Sequence, residues 1–211
     1  RALSLVKQGR YREAEPILRR AYEGNSHPDA QVDEALAQTY LENYALMAAS
    51  DVIERWSRDA PNDPKPYLWR AEVDRRVRGR EAALVDDYRE ALARDPSLGE
   101  ARLGLAEELR KAHRNQDAAR EFETYLAQSS DDPVGLLGAA RDARELGDDE
   151  AAARFLDRAL KAAPRDVVAL RERADIALRR GEAAEALSLL DQAKVLDPFD
   201  VTTLYSRGLA L

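Results

Sequence analysis

Residues 133–166 read PVGLLGAARDARELGDDEAAARFLDRALKAAPRD, and residues 167–200 read VVALRERADIALRRGEAAEALSLLDQAKVLDPFD. Laid one over the other, the two stretches share a pattern more than they share letters. Small residues coincide at Ala140 and Ala174 and again at Ala152 and Ala186; glycines coincide at Gly147 and Gly181. Large apolar residues coincide at Leu136 and Leu170 and at Leu156 and Leu190, and prolines at Pro164 and Pro198. Within each stretch the apolar positions recur at spacings of three and four, as in Leu136, Ala139, Ala140 and Ala143, then Ala152, Leu156, Ala159 and Leu160. That is the period of an amphipathic helix. The glycine interrupts the pattern midway and the proline closes it, so each stretch reads as a hairpin of two helices of about 12–14 residues.

The same beat runs through the chain. Small residues stand at Ala2, Ala37, Ala71, Ala106, Ala140, Ala174 and Gly208, in steps of 35, 34, 35, 34, 34 and 34 residues. A second series, Ala14, Ala49, Ala118, Ala152 and Ala186, is followed four residues later by Leu18, Ile53, Phe122, Leu156 and Leu190. Pro61, Pro96, Pro164 and Pro198 mark the ends of units. Small residues at these places let helix backbones approach closely, and Asp63, Asp132, Asp166 and Asp200 stand where they can cap the next helix. A single hairpin cannot bury its apolar face alone, so neighbours must stack.

Composition agrees. Of 211 residues, 45% are apolar and 35% charged, with only nine Pro and ten Gly. Abundant Ala, Leu, Arg and Glu favour helix. A net charge of −7 repels phosphate backbones and argues against nucleic acid as a partner. The absence of cysteine excludes disulfides and thiol chemistry. No apolar run approaches the roughly 18 residues of a membrane span, which argues against membrane insertion. Heavy use of Arg, Ala and Asp suggests a bacterial source, and cytoplasm and periplasm are both compatible.

The pattern resembles the tetratricopeptide repeat. Unit 167–200 shows the family's positions as Leu170, Ala174, Ala177, Gly181, Ala186, Leu190, Ala193 and Pro198; unit 133–166 shows them as Leu136, Ala139, Ala140, Ala143, Gly147, Ala152, Leu156, Ala159 and Pro164. Unit 99–132 matches at Leu105, Ala106, Leu109, Ala118 and Phe122, with His113 for the glycine and Ser130 for the proline. Unit 30–63 matches at Leu36, Ala37, Tyr40, Ala49, Ile53 and Pro61. Unit 64–98 is one residue long, with Leu84 in the small series and Asp74 or Arg75 at an apolar position, which predicts a local distortion. The resemblance implies an all-α fold, a right-handed superhelical solenoid of antiparallel helix pairs, as a single domain over 1–211. Partial units at 1–29 and 201–211 flank the five whole ones. Leu204, Tyr205, Leu209 and Leu211 offer no polar capping face, so the chain is expected to be a fragment of a longer protein.

No catalytic constellation is found. His27 and His113 stand alone in turns, without a second His or a Cys as a zinc ligand. Asp131-Asp132 and Asp148-Asp149-Glu150 fall where acids cap helices, and Asp86-Asp87 would point to different helix faces. Gly135 and Gly138 precede no phosphate-binding Lys-Ser/Thr and read as close-packing residues. Trp56 takes a second-helix core position. The expectation is a non-enzyme with no metal and no cofactor.

In the resembled family the first helices of successive hairpins line a concave groove. Carried over residue by residue, the groove comprises Gln31, Glu34, Gln38, Leu41 and Glu42, then Glu100, Leu103, Glu107, Arg110 and Lys111. It continues through Val134, Leu137, Arg141, Arg144 and Glu145, then Val168, Arg171, Asp175, Leu178 and Arg179, to Thr202, Tyr205 and Leu209. Its C-terminal half interleaves apolar and basic side chains. The implied partner is therefore a protein or peptide with both acidic and apolar groups, bound at Leu103, Glu107, Arg110, Leu137, Arg141, Arg144, Val168, Arg171, Asp175, Leu178 and Tyr205. Against this stands neutralisation within each helix, through the four-apart pairs Glu107–Lys111, Arg141–Glu145, Arg171–Asp175 and Asp175–Arg179. The family's clamp for a C-terminal carboxylate needs asparagines on first helices, but Asn25, Asn43, Asn62 and Asn115 fall at turns or helix ends. Homo-oligomeric self-assembly, or service as the arm of an enzyme whose catalytic domain lies elsewhere, are the alternatives to a peptide-binding scaffold.

Overall fold

The computed structural model describes residues 1–24, 29–77 and 79–211. The expectations for Asn25, His27 and Pro28 lie outside them. Among the described residues there are thirteen helices and no strand. The helices are α1 (Ala2–Lys7), α2 (Tyr11–Gly24), α3 (Ala30–Glu42), α4 (Leu46–Asp59), α5 (Lys65–Arg75), α6 (Glu81–Arg94) and α7 (Gly99–Lys111). They continue as α8 (Asn115–Gln128), α9 (Pro133–Glu145), α10 (Asp149–Ala162), α11 (Val167–Arg179), α12 (Ala183–Leu196) and α13 (Val201–Ala210). Odd-numbered helices are the first of each hairpin and even-numbered helices the second.

Two compact units emerge, Arg1–Glu108 and Leu109–Leu211. In the first, each helix from α1 to α6 packs on the next in chain order; in the second, the same holds from α8 to α13. First helices also touch one another across the hairpin between them, α1 with α3, α3 with α5, and α11 with α13. The all-helical class and the stacking of neighbours follow from the repeat, because each amphipathic helix has an apolar stripe that only a neighbour can cover.

The cores hold the residues that set the period. Leu18, Leu36, Ile53 and Trp56 in the first unit, and Phe122, Leu136, Leu156 and Leu190 in the second, are almost wholly buried. Each large apolar side chain so buried contributes about 1.5–3 kcal/mol. Ala37, Ala71, Ala106, Ala152, Ala174 and Ala186 have no exposed surface, as small residues at helix crossings must. Trp56 donates its indole N–H to Asp63 Oδ2 at 3.0 Å, which satisfies its polar end inside the core.

The turn within each hairpin uses one left-handed residue. Gly9, Gly79, Gly147 and Gly181 have φ of +70°, +82°, +81° and +76°. Tyr44 and His113 occupy the same place with φ of 59° and 56°. The caps follow the sequence closely. Asp132 accepts from Gly135 N, Asp166 from Val168 N and Ala169 N, and Asp200 from Thr203 N. Asp63 lies one residue ahead of the cap position and accepts from Lys65 N instead. Asp148, among the acids placed at helix starts by the sequence, caps α10, and Asp29, not singled out there, caps α3.

The long third unit is irregular, as its sequence predicts. Helix α5 has 11 residues where α3, α7, α9 and α11 have 13. Asp74 is buried there and meets Arg80 at 3.1 Å, while Leu84 is taken into the core.

Candidate binding face

The carried-over groove positions lie on the first helices, and each unit presents its own set. In the first unit α1, α3 and α5 frame a cavity of about 360 Å³ lined by Leu3, Val6, Gln31, Glu34, Gln38 and Lys65. Lys65 Nζ donates to Glu34 Oε2 at 2.6 Å, and Arg76 meets Glu42 at 3.1 Å, so the two pairs join α3 to α5 and to its C-cap. The bond to Glu34 raises the Lys65 ammonium above its ordinary pKa. Gln31, Glu34 and Gln38 line this hollow. Leu41 does not: it is 2% exposed and belongs to the core. Leu103 and Glu107 lie half-buried on α7.

In the second unit the basic residues form a chain of ion pairs from one first helix to the next. Arg110 donates to Glu145 at 2.7 Å and Arg141 to Glu172 at 2.7 Å. Arg144 meets Asp175 at 3.6 Å, and Arg171 donates to Asp200 at 3.0 Å. Of the four-apart pairs, Asp175–Arg179 forms at 3.6 Å, but Arg141 and Glu145 turn away from each other to partners on adjacent helices. The reason is geometric. First helices stack side by side, so a guanidinium on a long stem reaches the next helix as easily as its own next turn, and there it meets a carboxylate in a bidentate-capable fork. Bonds from Thr203 and Arg171 hold the Asp200 carboxyl down to about 2. The arginines are therefore engaged: a ligand carboxylate would have to exchange with Glu145, Glu172, Asp175 or Asp200.

Between these pairs the apolar members divide into two groups. Leu137 and Leu178 are half-buried, packed against the cores of their hairpins, and Val168 is half-buried as well. Val134 and Tyr205 are 60% and 67% exposed, and Leu209 is open too. The structure thus brings Arg110, Arg141, Arg144, Arg171 and Asp175 into one electrostatic chain and leaves Val134 and Tyr205 uncovered beside it.

Sequence reasoning passed over the buried charges. Asp33, Asp87 and Arg173 are 5%, 3% and 8% exposed. Asp87 is held by Arg70, while Asp86, its neighbour, stays outside. Burial lifts the Asp33 carboxyl to about 6, despite the opposing charge of Arg55. Arg173 reaches Asp157 and Glu185, both at 2.8 Å, joining α10 to α12 through α11. A signal was available, since Asp33 aligns with Leu136 and Leu170, and Arg173 with Leu105 and Ala139. A charge at an apolar position of the repeat marks a buried ion pair or a solvated exception.

Among the described residues no group of three or more His, Cys, Asp and Glu side chains could hold a metal ion, and no helix is long and apolar enough to cross a membrane. His113 sits in the turn between α7 and α8 and contributes its backbone conformation to it.

Two family models match the chain, each described as a tetratricopeptide repeat, over residues 5–71 and 137–201 and together over more than half of it. The chain belongs to the tetratricopeptide repeat family. Solved structures of similar fold include a tetratricopeptide repeat protein from Parabacteroides merdae, with TM-score 0.78 and 18% identity, covering 99% of this chain and 82% of that one. YrrB, described as a tetratricopeptide protein with an unusual peptide-binding site, has TM-score 0.74 and 16% identity over 90% of this chain and 97% of its own. MamA from Desulfovibrio magneticus has TM-score 0.73 and 16% identity over 82% of this chain and 97% of its own. No curated protein matches the sequence. These tetratricopeptide repeats make the chain a protein–protein interaction scaffold.

Proposed function

We propose that the first-helix face of the second unit binds a peptide or partner segment bearing both acidic and apolar side chains. The observation that carries the reading is the row Arg110, Arg141, Arg144 and Arg171, each paired across helices, beside the uncovered Val134 and Tyr205. A ligand carboxylate exchanges for one of the resident acids while its apolar neighbours cover the exposed side chains, so charge pairing selects and burial supplies affinity. Arg144 is the favoured point of exchange, because its contact with Asp175 is the longest in the row and Asp175 stays exposed. Leu137, Val168 and Leu178 line the path between the charges, and Leu103 and Glu107 are the corresponding positions on α7. That YrrB is described as having a peptide-binding site on a similar fold supports a peptide as the ligand class.

The test is selection from a random-peptide library against the wild-type chain, followed by affinity measurement on Arg144→Gln and Tyr205→Ala. Both residues are solvent-accessible enough to change without unfolding the hairpin. Acidic–apolar peptides should be enriched, and each variant should weaken them by about 3–30-fold. Enriched peptides without acidic residues, or unchanged affinity in both variants, would refute the assignment.

Self-assembly is the second reading, favoured by Phe199, Val201 and Leu211, which are 88%, 76% and 82% exposed. Sedimentation over a wide concentration range decides it: a constant monomer mass excludes it.

A further inference from the structure

The hairpin turns of the first unit form an edge of their own. Between the turn α1–α2 and the turn α3–α4 lies a hollow of about 330 Å³, lined by Gly9, Arg10, Tyr11, Arg12, Glu13 and Asn43. Asn43 Nδ2 donates to Glu15 Oε2 at 2.8 Å and so ties the later turn to α2. Arg10 donates to Glu13 at 2.7 Å, and their charges cancel. The Arg12 side chain is exposed and makes no hydrogen bond or ion pair among the described residues, which leaves the hollow one unmatched positive charge.

Tyr44 and Met47 follow Asn43 in the chain and are 83% and 80% exposed. Other repeats show what a turn needs at these two places: Gly9 and Arg12, His113 and Gln116, Gly147 and Glu150, Gly181 and Ala184. None of these puts a large apolar side chain there. Tyr44 departs from them twice over. Its φ of 59° lies in a region that glycine enters freely and histidine more readily than most, but a tyrosine only under strain. Its ring is not repaid by burial in the core. Single apolar side chains on a surface are ordinary, but an aromatic one held in a strained turn, with a second apolar one three residues on, marks a contact surface.

The geometry points to a docking site on this edge for a partner protein segment that carries a carboxylate next to an apolar side chain. The carboxylate pairs with Arg12 in the hollow, and that charge match decides which partners qualify. The apolar neighbour lies across Tyr44 and Met47, where a rigid ring gives area at little entropic cost and a thioether adapts to its shape. The site is built from turns of the first unit and shares no residue with the first-helix face of the second.

The test is selection from a random-peptide library on the wild-type chain, with counter-selection on the double variant Tyr44→Gly, Met47→Ala. Counter-selection removes peptides held elsewhere, including those on the first-helix face of the second unit. Glycine suits the turn and Met47 is exposed, so the variant should stay folded, which thermal unfolding checks. Surviving peptides should carry Asp or Glu beside an apolar residue, and in NMR spectra should shift the amides of residues 9–13 and 43–47. Arg12→Gln, at an exposed position with no partner to lose, should weaken them by about 3–30-fold. No surviving peptide, survivors without acidic residues, or affinity unaffected by Arg12→Gln would overturn the proposal. So would a wild-type dimer in sedimentation that the double variant alone abolishes, because a second copy would then be what covers this edge.

Discussion

Tyr44→Gly removes a large side chain, yet it should make the protein more stable. Tyr44 closes the turn between α3 and α4 with φ of 59°, and its side chain is 83% exposed. A residue with a Cβ pays about 1–2 kcal/mol in the left-handed region. Glycine removes that strain but gives the unfolded chain more freedom, which returns about 0.5–1 kcal/mol. Almost no buried surface is lost, so the net gain should be about 0.5–1 kcal/mol, or a rise in Tm of about 1–4 °C for a chain of this size. The reciprocal changes supply the control. Gly147 and Gly181 hold the same conformation, and a Cβ on either would meet nothing within 4 Å. Gly147→Ala and Gly181→Ala therefore lose stability through backbone strain alone, by about 1 kcal/mol or more. Urea unfolding of the three variants measures the differences, and hydrogen exchange locates them at the altered turn. If Tyr44→Gly destabilised while the alanine variants were neutral, turn conformation would not be what selects these residues.

Asp33→Asn should stabilise the protein at neutral pH. With the folded carboxyl near 6 and the unfolded one near 3.8, the folded chain keeps a proton over that interval that the unfolded chain has lost, so stability falls as pH rises through it. The variant should be ahead by about 1–2 kcal/mol at pH 7, after allowance for screening, and the gap should close near pH 4 in parallel urea melts. Leu156→Ala, at a residue 1% exposed, should cost about 2–5 kcal/mol, with faster hydrogen exchange concentrated in α9, α10 and α11. Gly135→Ala would set a Cβ 2.5 Å from the ring of Tyr125. It should cost about 1–3 kcal/mol, and much of that loss should disappear in a Tyr125→Ala background.

The helices and their pairing were legible because they depend on short-range order. The three-and-four spacing of Leu136, Ala139, Ala140 and Ala143 states which face of α9 is apolar, and Asp132, Asp166 and Asp200 announce helix starts within a few residues of themselves. His113 was read as a substitute for glycine, and its φ of 56° gives the physical reason. Tyr44 goes unrecognised in the same role, because the repeat 30–63 holds no glycine to flag the turn. Leu41 misled, because a position on the groove edge and one on the core edge differ by a small rotation about the helix. Arg141 and Glu145 misled in a different way: four-apart charges suggest a pair within a helix, and only a neighbouring helix offers a better partner.

The sequence by itself determined that this is a tetratricopeptide repeat chain of stacked helical hairpins, that hairpins turn at Gly147 and Gly181, and which small residues let them close. Periodicity and caps are properties of adjacent residues, so they survive in one dimension. Which carboxylate each arginine meets, and that Arg173 lies buried between Asp157 and Glu185, were decided by tertiary structure. Both depend on distances of a few ångströms between side chains from different hairpins, set by how the helices pack and invisible until they do.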